Sequence, residues 1–214
     1  MAAKMLALLV GILFFCCTQS AMADVPTPQT WPVRFHAFLV QNFSGELGVM
    51  DLWYDWEKGG NLHIIQPQLS TPTYDMEWTN GTSFFWDEES KTCTSAQVGV
   101  GILRPDWLVD ADYLGVREMS GFTCNVWNKL DFITYYEDVE SKRPVYWFFY
   151  TGRQVHVITF DAGAVLDDEQ WQAPEYCFQE GDTTLHDNGV FHPKRMSTVS
   201  TEYKEWLLSG AVSA

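Results

Sequence analysis

Basic residues are scarce in this sequence. Of its 214 residues, 13 are Lys or Arg and 28 are Asp or Glu, which gives a formal net charge of −15 at pH 7. Proteins that bind nucleic acids or anionic membranes present basic surfaces to the phosphates. The charge balance therefore argues against both kinds of partner, and we expect no nucleic-acid binding.

Long apolar runs are absent after residue 23. Before that point, Lys4 is followed by an apolar run over residues 6–17 and then by Ala21-Met22-Ala23, an order that is typical of a cleaved signal peptide. The run is too short to span about 30 Å of hydrocarbon as a helix. We predict a signal peptide at residues 1–23, export to the extracellular space or to a vacuole, and no stable membrane insertion.

Cysteine is sparse in the chain that remains after cleavage, since only Cys93, Cys124 and Cys177 lie beyond residue 23. An oxidising compartment favours one disulfide and one free thiol. The sequence does not select among the three pairings, so all three residues are disulfide candidates. Because a free cysteine behaves as a small apolar residue, we expect the unpaired one to be buried.

Two sequons agree with an exported protein, namely Asn42-Phe43-Ser44 and Asn80-Gly81-Thr82. Neither has proline at its middle position, so Asn42 and Asn80 are candidate N-glycosylation sites. We expect a glycoprotein if the chain follows the secretory route.

The usual local motifs of catalysis and cofactor binding are missing. The five histidines have neither H-x-x-x-H nor H-x-H spacing, so a zinc site has no local support. There is no G-x-S-x-G motif for a serine nucleophile and no complete glycine-rich phosphate loop. We therefore expect no metal and no cofactor.

Asp75 and Glu77 form a carboxylate pair of the kind that glycosidases use, and Asp51 and Asp55 form another. Such residues on a strand project from one face, and they could meet the separation of two carboxyl groups across a sugar. An acidic chain also produces such pairs by chance. A solvated outer face is therefore the favoured interpretation, and catalysis by Asp75 and Glu77 is the alternative.

Strand patterns recur about every ten residues from Phe35 onward. Residues 74–78 alternate between apolar and acidic side chains, and Asn80-Gly81 then supplies a two-residue hairpin turn. The connections are too short for parallel crossovers, so we predict an all-β fold, a curved antiparallel meander or half-barrel of nine to eleven strands. The predicted strands are residues 35–43, 47–56, 62–65, 74–78, 83–86, 98–103, 113–119, 123–130, 132–137, 145–150 and 154–160.

The predicted layout has one β domain between less regular ends. A signal peptide at residues 1–23 is followed by an extended lead-in at 24–34, the β domain at 35–180 and a polar tail at 181–214. Helical patterns are limited to a turn at 105–108 and an amphipathic stretch at 201–208 within the tail.

Several predicted strands carry aromatic residues on both faces, as in Leu52-Trp53-Tyr54 and in residues 146–150. An antiparallel strand with one wet face would instead alternate apolar and polar residues. Both faces must therefore be covered. A sheet curled around its own core is the favoured explanation, and a cavity or groove lined by these rings is the alternative.

The chain resembles a family of uncharacterised secreted plant proteins over about residues 26–178. The stretches that carry the resemblance are residues 53–56, 74–84, 98–105, 126–153 and 171–178. Members of that family are sometimes labelled as transferring glycosyl groups, and a plant origin would imply the apoplast, cell wall or vacuole. The layout is also remotely similar to ependymin-related proteins and bacterial lipoprotein carriers. That similarity implies a half-barrel around an apolar pocket and binding of a lipid or another hydrophobic ligand.

We therefore expect a secreted, non-catalytic binding protein for a small apolar or amphipathic ligand, such as a fatty acyl chain. A carbohydrate-active enzyme using Asp75 and Glu77, or a cell-wall glycan-binding module, are the alternatives. A one-residue slip in strand register would move every candidate contact to the opposite face. The candidate ligand-binding residues are Trp53, Trp78, Phe85, Trp127, Tyr135, Trp147 and Phe149.

Overall fold

A computed structural model describes residues 25–178, in which eleven strands form one antiparallel sheet. Two short 3₁₀ helices, Asp168–Gln170 and Glu175–Phe178, follow the last strand. The strands are β1 (Arg34–Phe43), β2 (Glu46–Asp55), β3 (Gly60–Pro67), β4 (Thr73–Trp78), β5 (Thr82–Asp87), β6 (Thr92–Gln97), β7 (Asp112–Met119), β8 (Phe122–Lys129), β9 (Ile133–Asp138), β10 (Pro144–Phe149) and β11 (Gln154–Ala162).

The sheet consists of two meanders joined in the middle. Its strand order is β6-β5-β4-β3-β2-β1-β11-β10-β9-β8-β7, so the first and last of the described strands are neighbours. Phe35 of β1 lies opposite Ala162 of β11. Within the described residues the sheet does not close, and β6 and β7 are its edges. The predicted all-β antiparallel meander, a curved half-barrel, is confirmed.

The inner face of the sheet is the face that carries Phe35, Ala37 and Leu39 of β1, all fully buried. The side chains between them point to the outer face, as strand alternation requires. The inner face holds the largest apolar cluster, which extends across both meanders. Two segments without strands, 25–33 and 98–111, cover part of it with Trp31 and Trp107.

The outer face of β3 to β6 is covered by the segment that follows β11. Leu62, Met76 and Trp86 of the sheet pack against Leu166 and Trp171 of this segment. The disulfide between Cys93 of β6 and Cys177 fixes the segment in place. The chain itself thus covers both faces of these strands, which explains their aromatic residues on both sides.

The unpaired cysteine is buried, as expected. Cys124 lies on the outer face of β8 in a small apolar cluster with Val126, Tyr136 and Tyr146. Burial raises the pKa of its thiol to about 11, and nearby carboxylates add to the effect. A thiol with a raised pKa reacts slowly, so a packing role suits Cys124 better than a nucleophilic one.

The predicted strand at residues 98–103 is wrong, and β6 at Thr92–Gln97 takes its place in the sheet. Residues 98–103 instead cross the end of the β4–β5 hairpin. A Cβ atom at Gly101 would lie 2.3 Å from the backbone oxygen of Thr79, so only glycine permits this approach. Gly101 therefore serves a close backbone contact rather than a strand.

Some of the other predictions fall outside the described residues, and one falls within them. The signal peptide, the tail at 181–214 and its amphipathic stretch at 201–208 lie outside them. The turn at 105–108 is present, with the amide of Trp107 donating to the carbonyl oxygen of Arg104. Within residues 25–178, no helix has the length and apolar character needed to cross a membrane.

Candidate functional site

A polar cluster lies on the inner face where β3 and β4 pair. Asn61 lies directly opposite Glu77, and His63 lies directly opposite Asp75. The Nδ1 atom of His63 is 3.6 Å from Oδ2 of Asp75. One ligand atom from each of His63, Asp75 and Glu77 lies within 4.8 Å of the others. We call these four residues the inner polar cluster.

Apolar packing on the outer face of the sheet determines that this cluster lies on the inner face. Met76 and Trp78, which alternate with the two carboxylates, pack in the outer cluster with Trp171. Because successive side chains on a strand point to opposite faces, covering these apolar residues places Asp75 and Glu77 on the inner face. The sequence favoured a solvated outer face for Asp75 and Glu77, and that interpretation is wrong.

The inner polar cluster is buried among apolar neighbours. Asp75 is fully buried, Asn61 is 8% exposed, and Glu77 is half-buried. Leu52 and Phe85, the cross-strand neighbours of His63 and Asp75, belong to the inner apolar cluster. Asp75 thus lies at the buried base of the site, and the site is open to solvent on the side of Glu77.

Burial and mutual charge shift the pKa values of this cluster. Burial, followed by the negative charge of Asp75, raises the pKa of Glu77 to about 7. Burial lowers the pKa of His63, but the nearby carboxylates of Asp75 and Glu77 outweigh it, so the net shift is upward. Near neutral pH, Glu77 can therefore either hold or release a proton.

Aromatic rings form a wall on the inner face beside this cluster. We call it the inner wall, and its rings are those of Trp31, Phe35, Tyr54, Trp107, Trp127, Tyr135 and Trp147. Trp31 lies at the centre of this wall and makes edge contacts with Phe35, Tyr54 and Trp107 at centroid distances of 5.2, 5.8 and 5.3 Å. Its indole N–H donates to the hydroxyl of Tyr135 at 3.1 Å. The segment before β1 is thereby fixed to the wall.

Three other indoles of the wall lack a hydrogen-bond acceptor. The Nε1 atoms of Trp107, Trp127 and Trp147 are buried, and in the part of the chain that the structure describes none has a partner. Buried tryptophan usually places its N–H against an acceptor. The inner wall therefore combines apolar rings with donors that a ligand could use.

A second polar group lies on the inner face of the β7–β9 side. Glu137 of β9 is fully buried, and its Oε2 accepts the backbone N–H of Gln29 at 3.0 Å. Asn125 lies directly opposite Glu137 and accepts a hydrogen bond from the hydroxyl of Tyr113. Burial raises the pKa of Glu137. This group anchors the segment before β1 rather than facing the inner polar cluster.

The structure divides the candidate ligand-binding residues between the two faces. Trp53 and Trp78 belong to the outer cluster. The other candidates belong to the inner cluster, and they are Phe85, Trp127, Tyr135, Trp147 and Phe149. The inner five are thus brought together, and the outer two are separated from them by the sheet.

The two sequon asparagines lie at or beside hairpin turns. Asn80 is exposed between β4 and β5, and its Oδ1 accepts the backbone N–H of Thr82. Asn42 is half-buried at the end of β1, and its Oδ1 accepts the backbone N–H of Gly45. Glycosylation at either residue stays a prediction.

Sequence reasoning missed Asn61 and His63 as partners of the carboxylates. His63 is 12 residues from Asp75 in the chain, and the two meet only because β3 and β4 pair in this register. A search for closely spaced ligands cannot find such a pair. Aligning the two strands across their turn would have placed His63 beside Asp75.

Fold and site together define an all-β protein whose open, curved antiparallel sheet carries a polar cluster and an aromatic wall on its inner face. Residues 30–177 match a domain of unknown function, DUF8395, and the chain belongs to this family. Among curated proteins, none matches the sequence.

Several solved structures show similarity to this chain. An uncharacterised conserved protein from Thermus thermophilus has 11% sequence identity and a TM-score of 0.50, over 67% of this chain and 87% of that protein. MucB in complex with MucA(peri) has 14% identity and a TM-score of 0.40, over 71% of this chain and 57% of MucB. PNGF-II has 7% identity and a TM-score of 0.33, over 66% of this chain and 30% of PNGF-II. At 11% identity, the Thermus similarity supports the fold and nothing about activity.

Proposed function

We propose that the protein is a secreted, non-catalytic binding protein that holds a small apolar or amphipathic molecule against its inner face. The supporting observation is the set of buried indole N–H groups of Trp107, Trp127 and Trp147, which have no acceptor in residues 25–178. A buried donor without an acceptor costs about 1–3 kcal/mol. A ligand with acceptor oxygens, such as a fatty acid or a carbonyl-bearing secondary metabolite, would accept these hydrogen bonds.

The rings would supply most of the affinity. Burial of apolar ligand surface contributes roughly 25 cal/mol per Å², before the costs of association. Trp31 and Trp107 belong to segments that form no strands and pack over the sheet residues of the wall. Segments without strand pairing open at lower free energy than the sheet, so we expect the ligand to enter beneath them.

The Cys93–Cys177 disulfide supports a compartment outside the reducing cytosol. Together with the signal peptide predicted at residues 1–23, it favours the extracellular space or a vacuole. A glycan-binding module is less well supported, because stacking on sugars needs exposed rings. The candidate rings are instead buried or half-buried.

Mass spectrometry of the protein purified from its native host tests the proposal directly. We expect the native mass to exceed the denatured mass by one discrete small molecule, after glycan and disulfide are accounted for. The released compound should contain both an apolar body and an acceptor oxygen. Equal native and denatured masses, together with no binding of cis-parinaric acid, would overturn the proposal.

Two matched substitutions locate the binding surface. Trp147→Phe removes an indole N–H from the inner wall, and Trp171→Phe removes a buried, unpartnered N–H from the outer cluster. Loss of one hydrogen bond of about 1 kcal/mol corresponds to roughly fivefold weaker binding. We expect that loss of affinity for cis-parinaric acid in Trp147→Phe alone. Equal effects in both variants would place the ligand elsewhere.

A carbohydrate-active enzyme is the second candidate, and the geometry of the inner polar cluster favours it. Asp75 and Glu77 share one face, and the raised pKa of Glu77, about 7, suits a general acid. Glu77→Gln should then abolish turnover of a glycan substrate, while Glu57→Gln, an exposed control, should not change it. Absence of turnover by the wild-type protein on a broad glycan panel would reject this candidate.

A further inference from the structure

The inner polar cluster holds three potential metal ligands, of two chemical kinds, in one small volume. It offers an imidazole nitrogen from His63 and carboxylate oxygens from Asp75 and Glu77, all within 4.8 Å of one another. Asp75 is fully buried, and the side chain of His63 is 11% exposed. The apolar neighbours Leu52 and Phe85 limit the water that could reach its base.

Two buried polar atoms of the cluster lack hydrogen bonds. Nδ1 of His63 and Oδ1 of Asn61 are both buried, and neither has a hydrogen-bond partner among residues 25–178. Asn61 is more than nine-tenths buried and lies directly opposite Glu77, so its amide is part of the same site. Because a buried polar atom without a hydrogen bond is costly, Oδ1 of Asn61, together with the long 3.6 Å contact of His63 Nδ1 with Asp75, indicates a ligand that bonds to both oxygen and nitrogen.

We propose that His63, Asp75 and Glu77 bind a divalent transition-metal ion, with Zn²⁺ as the best fit, and that Asn61 supplies a further oxygen. Zn²⁺ binds His nitrogen at about 2.0–2.1 Å and carboxylate oxygen at about 2.0–2.2 Å. In a tetrahedral site, two such ligand atoms lie roughly 3.4 Å apart. The His63 and Asp75 atoms are 3.6 Å apart, close to this value, and the carboxylate of Glu77, within 4.8 Å of both, completes the geometry by turning toward them.

The ligand set distinguishes this ion from the hard cations. Ca²⁺ and Mg²⁺ prefer all-oxygen sites of six or more ligands, whereas an imidazole nitrogen suits Zn²⁺ and neighbouring transition metals. Glu77, which is half-buried, lies on the open side of the cluster and gives the ion a route to Asp75. This site goes beyond the ligand-binding role proposed above, since the indole donors of that role belong to other residues.

Titration of the chelator-treated full chain with ZnCl₂ tests the site without any organic ligand. We expect one equivalent of Zn²⁺ by calorimetry, a higher melting temperature in its presence, and no comparable effect of CaCl₂ or MgCl₂. Co²⁺ should give a visible d–d spectrum, because it reports the coordination directly. Failure of the wild-type protein to bind Zn²⁺ would overturn the proposal, whatever the result with cis-parinaric acid.

Substitutions in the inner polar cluster test whether the metal binds there. Removing a residue that only hydrogen-bonds to a metal ligand typically lowers metal affinity by about 10–100-fold. Removing a ligand itself, in His63→Gln or Glu77→Gln, should therefore lower the affinity for Zn²⁺ by at least about tenfold. His36→Gln is the matched control, because His36 pairs with Asp51 at 2.6 Å on the outer face. Near-UV circular dichroism verifies that each variant is folded. Unchanged affinity in both cluster variants, or equal loss in His36→Gln, would place the metal elsewhere.

Discussion

Cys93 on the edge strand β6 is bonded to Cys177, which lies 84 residues later in the segment over the outer face. The Cα atoms of the two residues are 5.1 Å apart. This bond joins the edge of the sheet to the segment that covers Met76 and Trp86. It therefore supports both the edge strand and the outer covering that turns Asp75 inward.

Removing this disulfide should lower the free energy of unfolding by about 3–5 kcal/mol, because a loop of this length is costly to close in the unfolded chain. We expect the Cys93→Ser/Cys177→Ser variant to unfold at lower urea concentration than the wild type. Addition of a phosphine reductant should lower the midpoint of the wild type and leave that of the variant unchanged. Identical midpoints under oxidising conditions would contradict this role.

Gly101 and Gly99 should differ in how far the same substitution lowers stability. Gly101→Ala places a methyl group 2.3 Å from the Thr79 backbone oxygen, which must move. A Cβ atom at Gly99 meets no atom within 4 Å. We expect a loss of about 1–3 kcal/mol in urea unfolding for Gly101→Ala, and a change within about 0.5 kcal/mol for Gly99→Ala. Similar stability of the two variants would argue against this close approach.

The hydrogen bond from Trp31 to Tyr135 can be measured by a double-mutant cycle. Tyr135→Phe leaves the buried indole N–H of Trp31 without its acceptor, so we expect a loss of about 1–3 kcal/mol in unfolding free energy. Trp31→Phe removes the donor as well as part of the ring. In the Trp31→Phe background, Tyr135→Phe should lower the unfolding free energy by at least about 0.5 kcal/mol less than it does in the wild type. Additive losses would show that the two residues act separately.

Glu137 should give the fold a measurable pH dependence. Burial raises the pKa of Glu137, so above its unfolded pKa of about 4.3 the native state holds more protons than the unfolded state. The stability that it contributes is full below that value and is lost as pH rises through the folded pKa. Glu137→Gln retains an oxygen acceptor for Gln29 and does not titrate.

We therefore expect the melting temperature to fall less between pH 4 and pH 8 in Glu137→Gln than in the wild type. Circular dichroism at the two pH values measures the difference. The fall that both proteins share comes from their other titratable groups, so the difference between them reports the titration of Glu137, including the effects of Lys142 and Asp138 on it. The same fall in both proteins would contradict a raised pKa at this position.

Much of the sheet follows from short-range patterns. The Asn80-Gly81 turn and the alternation of residues 74–78 place β4 and β5 within one residue of their observed bounds. β6 was not predicted, because Thr92–Gln97 is polar and lacks alternation. Pairing with β5 and the bond from Cys93 to a distant residue make it a strand.

The side of the sheet on which each residue lies depends on residues far away in the chain. Alternation shows that Asp75 and Glu77 share a face, but Trp171, almost a hundred residues later, decides which face that is. The same limit applies to the candidate rings, because Trp53 and Trp147 look alike in sequence and lie on opposite faces. The partnership of His63 with Asp75 required the register of two strands.

The pairing of β1 with β11 also constrains the order in which the molecule can assemble. Every other strand contact joins consecutive strands, so the meanders β1–β6 and β7–β11 can each form from local hairpins. β1 leaves the ribosome first, yet its second neighbour, with Ala162 opposite Phe35, is made more than a hundred residues later. Closing so long a loop is slow, and until then one edge of β1 is open to pairing with other chains. The edge of β1 that later pairs with β11 is thus the part of the nascent protein where chaperone binding would most reduce aggregation.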